Sequence, residues 1–469
     1  MRRAYDVAGV RAAEDALMAQ VPEGALMQRA AAGLATVCAQ VLGRVYGSRV
    51  VLLVGSGNNG GDALFAGARL AERGASVAAV LLSESPHAEG LAALLRAGGR
   101  AADASTDAVD RADLVIDGIV GIGGRGPLRD PAAAVVARLD DGPLVVAVDV
   151  PSGVDASTGE VSGVAVHADV TVTFGALKPG LVIDPGAAHA GAVELVDIGL
   201  GPHLPSDGAV EVLQAADVAA LVPRPDRESD KYQRGVLGVA AGSDQYTGAA
   251  VLCVGGALRG GAGMVRYVGS AAPEALVRQR WPEVVVGAGR VQAWTVGSGG
   301  GGDAADRLGE AFDSGVPVLV DADALTALKN HQGSRPPCLL TPHAGELARL
   351  LDVDRKNVEA RRLEHARRAA AELDTVVLLK GSTTVIADPS GRVRVNPTGT
   401  PALATAGSGD VLAGLGGALL AGGLDPFDAG AAAAWLHGLA GRLASDGGAP
   451  ISAYDVLDAL PRAFRALGN

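Results

Sequence analysis

The run VVLLVGSGNNGGDALFAGARLA, residues 50–71, places an apolar strand directly before a glycine loop and an alanine-rich helix. In a doubly wound α/β fold such a loop lies at the carboxyl edge of a parallel sheet, where ligands bind. It is not the common dinucleotide turn GxGxxG, because Asn58 and Asn59 interrupt the glycines. The same alternation continues outward. Short Val/Ile/Leu runs predict strands at 49–54, 76–82, 113–117, 144–150, 169–174 and 193–198, with helices at 61–73, 88–97 and 131–139 between them. A Rossmann-like three-layer α/β/α domain is expected. Gly199, Gly201, Pro202, Pro205 and Gly208 then follow in quick succession, and breaker clusters of this kind mark linkers. The boundary is placed near Asp207, dividing the chain into domains 1–207 and 208–469.

The second half opens on VPRPDRESDKYQRG (222–235) and restarts the alternation, with strands expected at 236–241, 264–268, 294–297, 316–321, 338–341 and 375–380. Helices are expected at 248–259, 304–313, 344–351 and 355–373. The glycine motifs of the two halves occupy different places in their units, so two unlike α/β domains are expected and not a duplication. Composition agrees. A chain of 469 residues exceeds one ordinary core, and 67 glycines with 3% aromatics suit parallel sheets with tight turns. The net charge of −12 argues against a nucleic-acid partner, which needs basic patches. A nucleotide remains compatible, because helix N-termini bind phosphates without many cations.

Cys38, Cys253 and Cys338 are scattered and lack CxxC spacing, which fits a reducing cytoplasm without disulfides or structural zinc. The opening MRRAYDVAGVRAAEDALMAQ is broken by Asp6, Arg11, Glu14 and Asp15 before any apolar core of signal-peptide length. The apolar stretch 411–424 is bounded by Asp410 and Asp425 and is too short to span a bilayer. A soluble cytoplasmic protein without a membrane partner is expected.

Three loops of the first half follow predicted strands and converge on one sheet edge. In the first, Asn58-Asn59-Gly60-Gly61-Asp62, two amides offer oxygens to a hard monovalent cation or to ribose and phosphate groups; a plain left-handed Asn/Gly turn is the alternative. The second joins Asp117-Gly118 to Gly121-Ile122-Gly123-Gly124-Arg125-Gly126-Pro127, and the third is Asp149-Val150-Pro151-Ser152-Gly153-Val154-Asp155. Convergent polar groups at strand ends make a site.

In the second half, NPTGTPALATAGSGDVLAGL (396–415) ends in a glycine-flanked aspartate, Asp410, at the start of an apolar helix. Freed N–H groups and the helix dipole make an anion pocket there, and an aspartate within it can accept a proton from an attacking hydroxyl. An ordinary N-cap is the alternative. Lys380-Gly381-Ser382-Thr383-Thr384 offers a cation and hydroxyls to nucleotide phosphates, or else is a sheet edge with an exposed lysine. His343 stands where a strand gives way to a helix, as a ligand contact or a cap. Asp321 and Asp323 end a buried strand and either position magnesium or cap a loop.

With these loops in order, residues 1 to about 205 resemble the NAD(P)H-hydrate epimerase domain, and LMQRAAAGLA (26–35) resembles its N-terminal helix. The resemblance implies a potassium ion on Asn59, Asp117 and Ser152, and hydrated NADH or NADPH held by Asn58 to Asp62, by Gly121 to Pro127 and by Asp149, the expected acid/base catalyst. Ala63 departs from the family's usual glycine and is expected to crowd the loop without removing a ligand. Residues from about 225 onward resemble the ADP- or ATP-dependent NAD(P)H-hydrate dehydratase of the ribokinase-like architecture, through KYQRGVLGVAAGS with TGAA, TVGSGGG, VDADAL, LLTPHAGEL, LLKGSTTVI and ATAGSGDVLAG. This resemblance places Ala249, Gly299, His343 and Asp410 against the hydrated dinucleotide. It places Lys380 to Thr384 and Gly409 against ADP or ATP with magnesium, and makes Asp410 the base. Ser298 stands where the family commonly has proline, so a more flexible loop is expected. Together the halves imply a bifunctional isomerase and lyase, expected as a homo-oligomer, that epimerises hydrated NAD(P)H and dehydrates its S form. The rival reading is a vitamin-precursor kinase whose first half is a nucleotide-binding regulatory module.

Overall fold

The computed structural model describes residues 1–102, 108–139, 142–331 and 333–468. It divides into two compact units, residues 3–210 and residues 211–469 with the first two residues of the chain.

In the first unit the strands Arg49–Val54 (β1), Ser76–Leu81 (β2), Arg100–Ala102 (β3), Leu114–Gly118 (β4), Leu144–Val148 (β5), Val170–Phe174 (β6) and Ala192–Val196 (β7) form one sheet in the order β3-β2-β1-β4-β5-β6-β7. Every pairing is parallel, with Val50 in register with both Val77 and Leu114. Strands buried on both faces explain the unbroken apolar runs. Leu52, Val54 and Ile116 pack beneath the helices Val7–Met18 (α1), Ala25–Leu42 (α2) and Asn58–Glu72 (α3), while Val51, Leu53 and Val115 pack on the other side with Val135 and Val136. The period-two alternation of a strand therefore feeds two cores, one on each side of the sheet. Strand order reverses between β1 and β4, and the crevice at that switch point receives the loops after β1, β4 and β5. Helix α2 is long and apolar enough to cross a membrane by length and composition, yet Ala31, Leu34 and Cys38 on it are buried in this core.

Helix α3 corrects one expectation. It begins at Asn58 and not at residue 61, so both asparagines and both glycines form a first helical turn. None of them has positive φ, and the left-handed turn is ruled out. The free N–H groups of that turn face the crevice end of the sheet, the position in which a helix start attracts an anion.

In the second unit Val210–Val212 (β8), Val236–Ala240 (β9), Met264–Tyr267 (β10), Val285–Val286 (β11), Ala293–Val296 (β12), Val318–Val320 (β13), Cys338–Leu340 (β14), Val376–Leu379 (β15), Thr384–Ala387 (β16) and Val393–Asn396 (β17) pair in the order β8-β17-β16-β15-β14-β13-β12-β9-β10-β11. From β15 to β11 the pairing is parallel, while the hairpin β16–β17 is antiparallel. That hairpin was not among the expected strands. The expected helix at 355–373 is two helices, Arg355–Ala360 and Arg362–Leu373, separated by non-helical backbone at Arg361 (φ −130°, ψ 56°). The helices Thr247–Arg259 (α4), Ser408–Ala421 (α6) and Pro426–Ala444 (α7) bury Val254, Val411, Leu415 and Leu436 over Leu237, Leu319 and Leu378 of the sheet. Helix α6 is apolar on every side, as a helix buried all round must be.

Candidate functional site

The crevice of the first unit is built on Asp117, at the end of β4 and fully buried. It accepts hydrogen bonds from Ser152 N at 2.8 Å, Ser152 Oγ at 2.6 Å and Ile119 N at 3.2 Å. Ser152 Oγ also meets the backbone of Val120, so the second and third loops are stitched together. Asn59 donates its amide to Val148 O at 2.8 Å, which ties the first loop to the end of β5. The three expected cation ligands thus occupy one crevice. Burial pushes the Asp117 carboxyl up to about 6 although Ser152 and Ile119 donate to it, and among the described residues no ion pair compensates it. A desolvated carboxylate beside neutral oxygens fits a monovalent cation.

Gly121, Ile122, Gly123, Gly124, Arg125, Gly126 and Pro127 line a cavity of about 960 Å³, joined by Arg11 and Arg129. That volume is of the size that holds a dinucleotide-sized ligand. Asn58 and Asp62 line a second cavity of about 490 Å³ against α1 and α2. Asp149 follows β5 with φ 66°, a conformation that costs about 1–3 kcal/mol for a residue other than glycine and is held only by strong surroundings. Those surroundings are Lys178 Nζ, Thr173 Oγ1 and Phe174 N, all donating to Asp149 Oδ1. Lys178 is 1% exposed and also donates to Thr173 Oγ1 at 2.9 Å and Phe174 O at 3.0 Å. Sequence reasoning missed it, though a lone lysine in the apolar stretch FGALKPGLVI is a signal. Ala63 does not crowd the loop: its methyl occupies the space left by Gly118, where a Cβ would stand 2.6 Å from it.

In the second unit α6 starts from Gly407, which is left-handed at φ 88°. Gly409 and Asp410 lie in the first turn. A Cβ added to Gly409 would sit 3.7 Å from Lys380 Nζ, so the lysine stands over the helix start. Lys380 follows β15, an interior strand, and donates to Asp321 Oδ1 at 2.8 Å; the exposed edge lysine is excluded. Burial would lower the Lys380 pKa, but Asp321 and Glu346 outweigh it and hold the ammonium charged. Asp321 Oδ1 also accepts from Thr341 Oγ1 at 2.8 Å and its Oδ2 from Ser298 Oγ at 2.9 Å. Asp323 accepts from Gly301 N at 2.9 Å and clamps a loop. The two aspartates thus differ in their partners: Asp321 meets Lys380, and Asp323 a loop N–H.

Ser298 corrects another expectation. It is fully buried and hydrogen-bonded, not part of a loosened loop. Burial and the charge of Asp321 push Asp410 up to about 7, while Lys380 and the neighbouring Ser298 hydroxyl pull it back. Such a value suits a base at neutral pH. His343 is the N-cap of the helix Ala344–Leu351 (α5), its Nδ1 accepting from Gly345 N at 2.9 Å and Glu346 N at 3.2 Å. Its side chain is 53% exposed, which leaves Nε2 at the surface of the site. The capping reading holds, and it orients the ring. Glu346 lies 3.8 Å from Lys380, so His343, Glu346, Lys380, Asp321 and Ser298 form one polar chain toward Asp410.

Ala249 and Gly299 are adjacent, since a Cβ on Gly299 would stand 2.7 Å from the Ala249 methyl. Lys380, Gly381, Ser382, Thr384 and Gly409 line a cavity of about 490 Å³ together with apolar Leu403 and Leu412, so polar groups suited to phosphates and an apolar surface share one pocket. Thr383 does not line it; its carbonyl accepts from Arg362 Nη2 at 3.3 Å. His437, unforeseen, donates from Nε2 to Ser408 O at 2.9 Å and is pushed down to about 4 by burial, so it stays neutral. Among the described residues no group of three or more His, Cys, Asp or Glu could hold a metal ion.

Residues 237–462 match the family described as NAD(P)H-hydrate dehydratase, and residues 23–180 the family described as YjeF-related protein N-terminus. The chain is 50% identical over 449 residues to the bifunctional NAD(P)H-hydrate repair enzyme Nnr of Mycobacterium tuberculosis, covering 92% of each. It is 49% identical over 488 aligned positions to that of Mycobacterium leprae, covering 100% of each. The ADP/ATP-dependent NAD(P)H-hydrate dehydratase of Bacillus subtilis, co-crystallised with ATP and Mg2+, is similar with a TM-score of 0.51 and 33% identity over 55% of this chain and 99% of that one. A ribokinase-like superfamily protein of Enterococcus faecalis, 23% identical with a TM-score of 0.51 over 56% of this chain and 98% of its own, shares the fold.

Proposed function

The chain belongs to the bifunctional NAD(P)H-hydrate repair enzymes, an isomerase and a lyase in one polypeptide, and we propose how its residues divide that work. The first unit, expected over 1–207, interconverts the R and S forms of hydrated NADH or NADPH. The second, expected over 208–469, dehydrates the S form. The division between residues 210 and 211 supports that assignment.

In the first unit the dinucleotide lies against Asn58 to Asp62 and Gly121 to Pro127, with its hydrated ring at Asp149. Potassium would be held by Asn59, Asp117 and Ser152, where it would neutralise the buried carboxylate and brace the loops. Lys178, Thr173 and Phe174 donate to Asp149 Oδ1 and orient its carboxylate.

In the second unit ADP or ATP lies along Lys380 to Thr384 with its phosphates at the N–H groups of Gly409. Magnesium would arrive with those phosphates, since Asp321 is taken by Lys380, Thr341 and Ser298. The ring lies against Ala249, Gly299, His343 and Asp410. Asp410 removes the proton from the ring hydroxyl as that oxygen attacks the terminal phosphoryl group, phosphate then leaves with the oxygen, and loss of the neighbouring C–H proton restores the double bond. The observation that carries this reading is Asp410 at a helix start beside Lys380, with its pKa raised to about 7.

The test is to incubate the protein with an R/S mixture of hydrated NADH, with and without ADP or ATP, and follow both epimers by chromatography. Both epimers should disappear with nucleotide and equilibrate without it. Loss of the S form alone would remove the epimerase assignment, and dehydration without nucleotide would remove the phosphoryl-transfer step.

A further inference from the structure

Inverting a hydrated ring carbon requires one proton given and one taken, and a single carboxyl group supplies only one of these at a time. The cavity of about 490 Å³ against α1 and α2 brings in a second. Glu14, Asn58, Asp62, His87 and Phe174 face it, and it is large enough for a nicotinamide ring. Asp62 is only 8% exposed; among the described residues no donor reaches its carboxyl group, while burial and then the charges of Asp149 and Glu14 drive it well above the ordinary carboxylate range. Asp149 is the opposite case, with Lys178, Thr173 and Phe174 all donating to it. Glu14 is itself raised by burial and by Asp149, and Glu23, His87 and Glu89 complete the titratable lining. Phe174, whose N–H donates to Asp149 Oδ1, lines the same cavity as Asp62, so the donor-free carboxyl group faces the pocket that the Lys178-bound one adjoins.

We propose that Asp62 is the acid of the epimerisation and that Asp149, held by Lys178, is its base. The inference rests on the epimerase reading of the first unit. The ring carbon carries a hydroxyl and is bonded to the ring nitrogen. Its C–O bond breaks as the nitrogen lone pair forms a C=N bond, and the proton of Asp62 leaves with the oxygen as water. A water molecule then forms the new C–O bond on the other face, returns the electron pair to nitrogen and gives its extra proton to Asp149. The opposite direction uses the same groups in exchanged roles, and solvent resets the pair.

The experiment follows epimer interconversion in the full-length chain in 18O-labelled water across pH 5–9. In the wild type, activity falls at high pH as Asp62 ionises, and one solvent oxygen enters per inversion. Asp62→Asn, which keeps size but cannot give up a proton, should lower kcat at least ~100-fold, leave KM within about threefold and abolish the alkaline limb. Should that variant melt early, Glu14→Gln provides the second arm: losing a negative neighbour should move the alkaline limb to lower pH. A wild type that does not interconvert epimers would overturn the epimerase reading itself. A wild type that does, with Asp62→Asn at near-normal kcat, an unmoved limb in Glu14→Gln or inversion without solvent oxygen, would overturn the assignment of Asp62.

Discussion

Asp410, the base we propose for dehydration, shows how one carboxyl group can be set for catalysis at the expense of stability. Its raised pKa, about 7 against an ordinary 3.8, means that the folded chain binds the proton more tightly than the unfolded chain does. Its contribution to stability is therefore complete below pH 4 and is lost as pH rises through about 7. Asp410→Asn should melt a few degrees above the wild type at pH 8 and close to it at pH 4, while dehydration falls ~10²–10⁴-fold. Calorimetry at the two pH values checks the first half; equal melting at pH 8 would refute the unpaired-charge account. Because the base must be ionised, wild-type dehydration should climb through about pH 7. Ser298→Ala removes a hydroxyl whose influence lowers the Asp410 pKa, so the pH–rate limb of that variant should move to higher pH. Residues such as Asp149 and Asp410 were legible because they stand in glycine-rich motifs at strand and helix ends. Lys178, Glu346 and His437 were not, because nothing local to a lysine or histidine in an apolar run says which carboxyl or carbonyl group it will meet.

At the scale of elements, the strands and helices that frame both crevices could be read from periodicity, since apolar runs of strand length bounded by glycine have few alternatives. The start of α3 could not. Two glycines and two asparagines weigh against helix locally, and only packing on β1 and β4 makes them helical. That packing carries a prediction. Gly118→Ala would drive a methyl into Ala63 and should cost about 1–3 kcal/mol, and Gly118→Ala with Ala63→Gly should recover most of it. Chemical denaturation of the three variants measures this; an additive double variant would mean that the two positions do not share space. The hairpin β16–β17 was missed although TTVIADPSGRVRVN alternates around a turn signal, because the preceding parallel units set an expectation of helix after strand.

For the whole molecule, the two activities should separate by single substitutions. With Asp149→Asn and an R/S mixture plus nucleotide, the S form should be recovered at the normal rate and the R form should persist, as chromatography of both epimers would show. Potassium chloride should stabilise the fold relative to choline chloride at equal ionic strength, by up to ~2.7 kcal/mol at a hundredfold excess over Kd, read as a higher melting temperature. Asp117→Asn should abolish that difference; its persistence would move the cation elsewhere. From the sequence alone came the α/β class, the two-part organisation, the loops that carry the sites and, through their order, the family to which they point, because these depend on local periodicity and on motifs a few residues long. Only tertiary structure decided which groups face one another. It joined Lys178 to Asp149, set Ser298 between Asp321 and the base, and left Asp62 buried without a donor, because ion pairing and desolvation are set by neighbours distant in the chain.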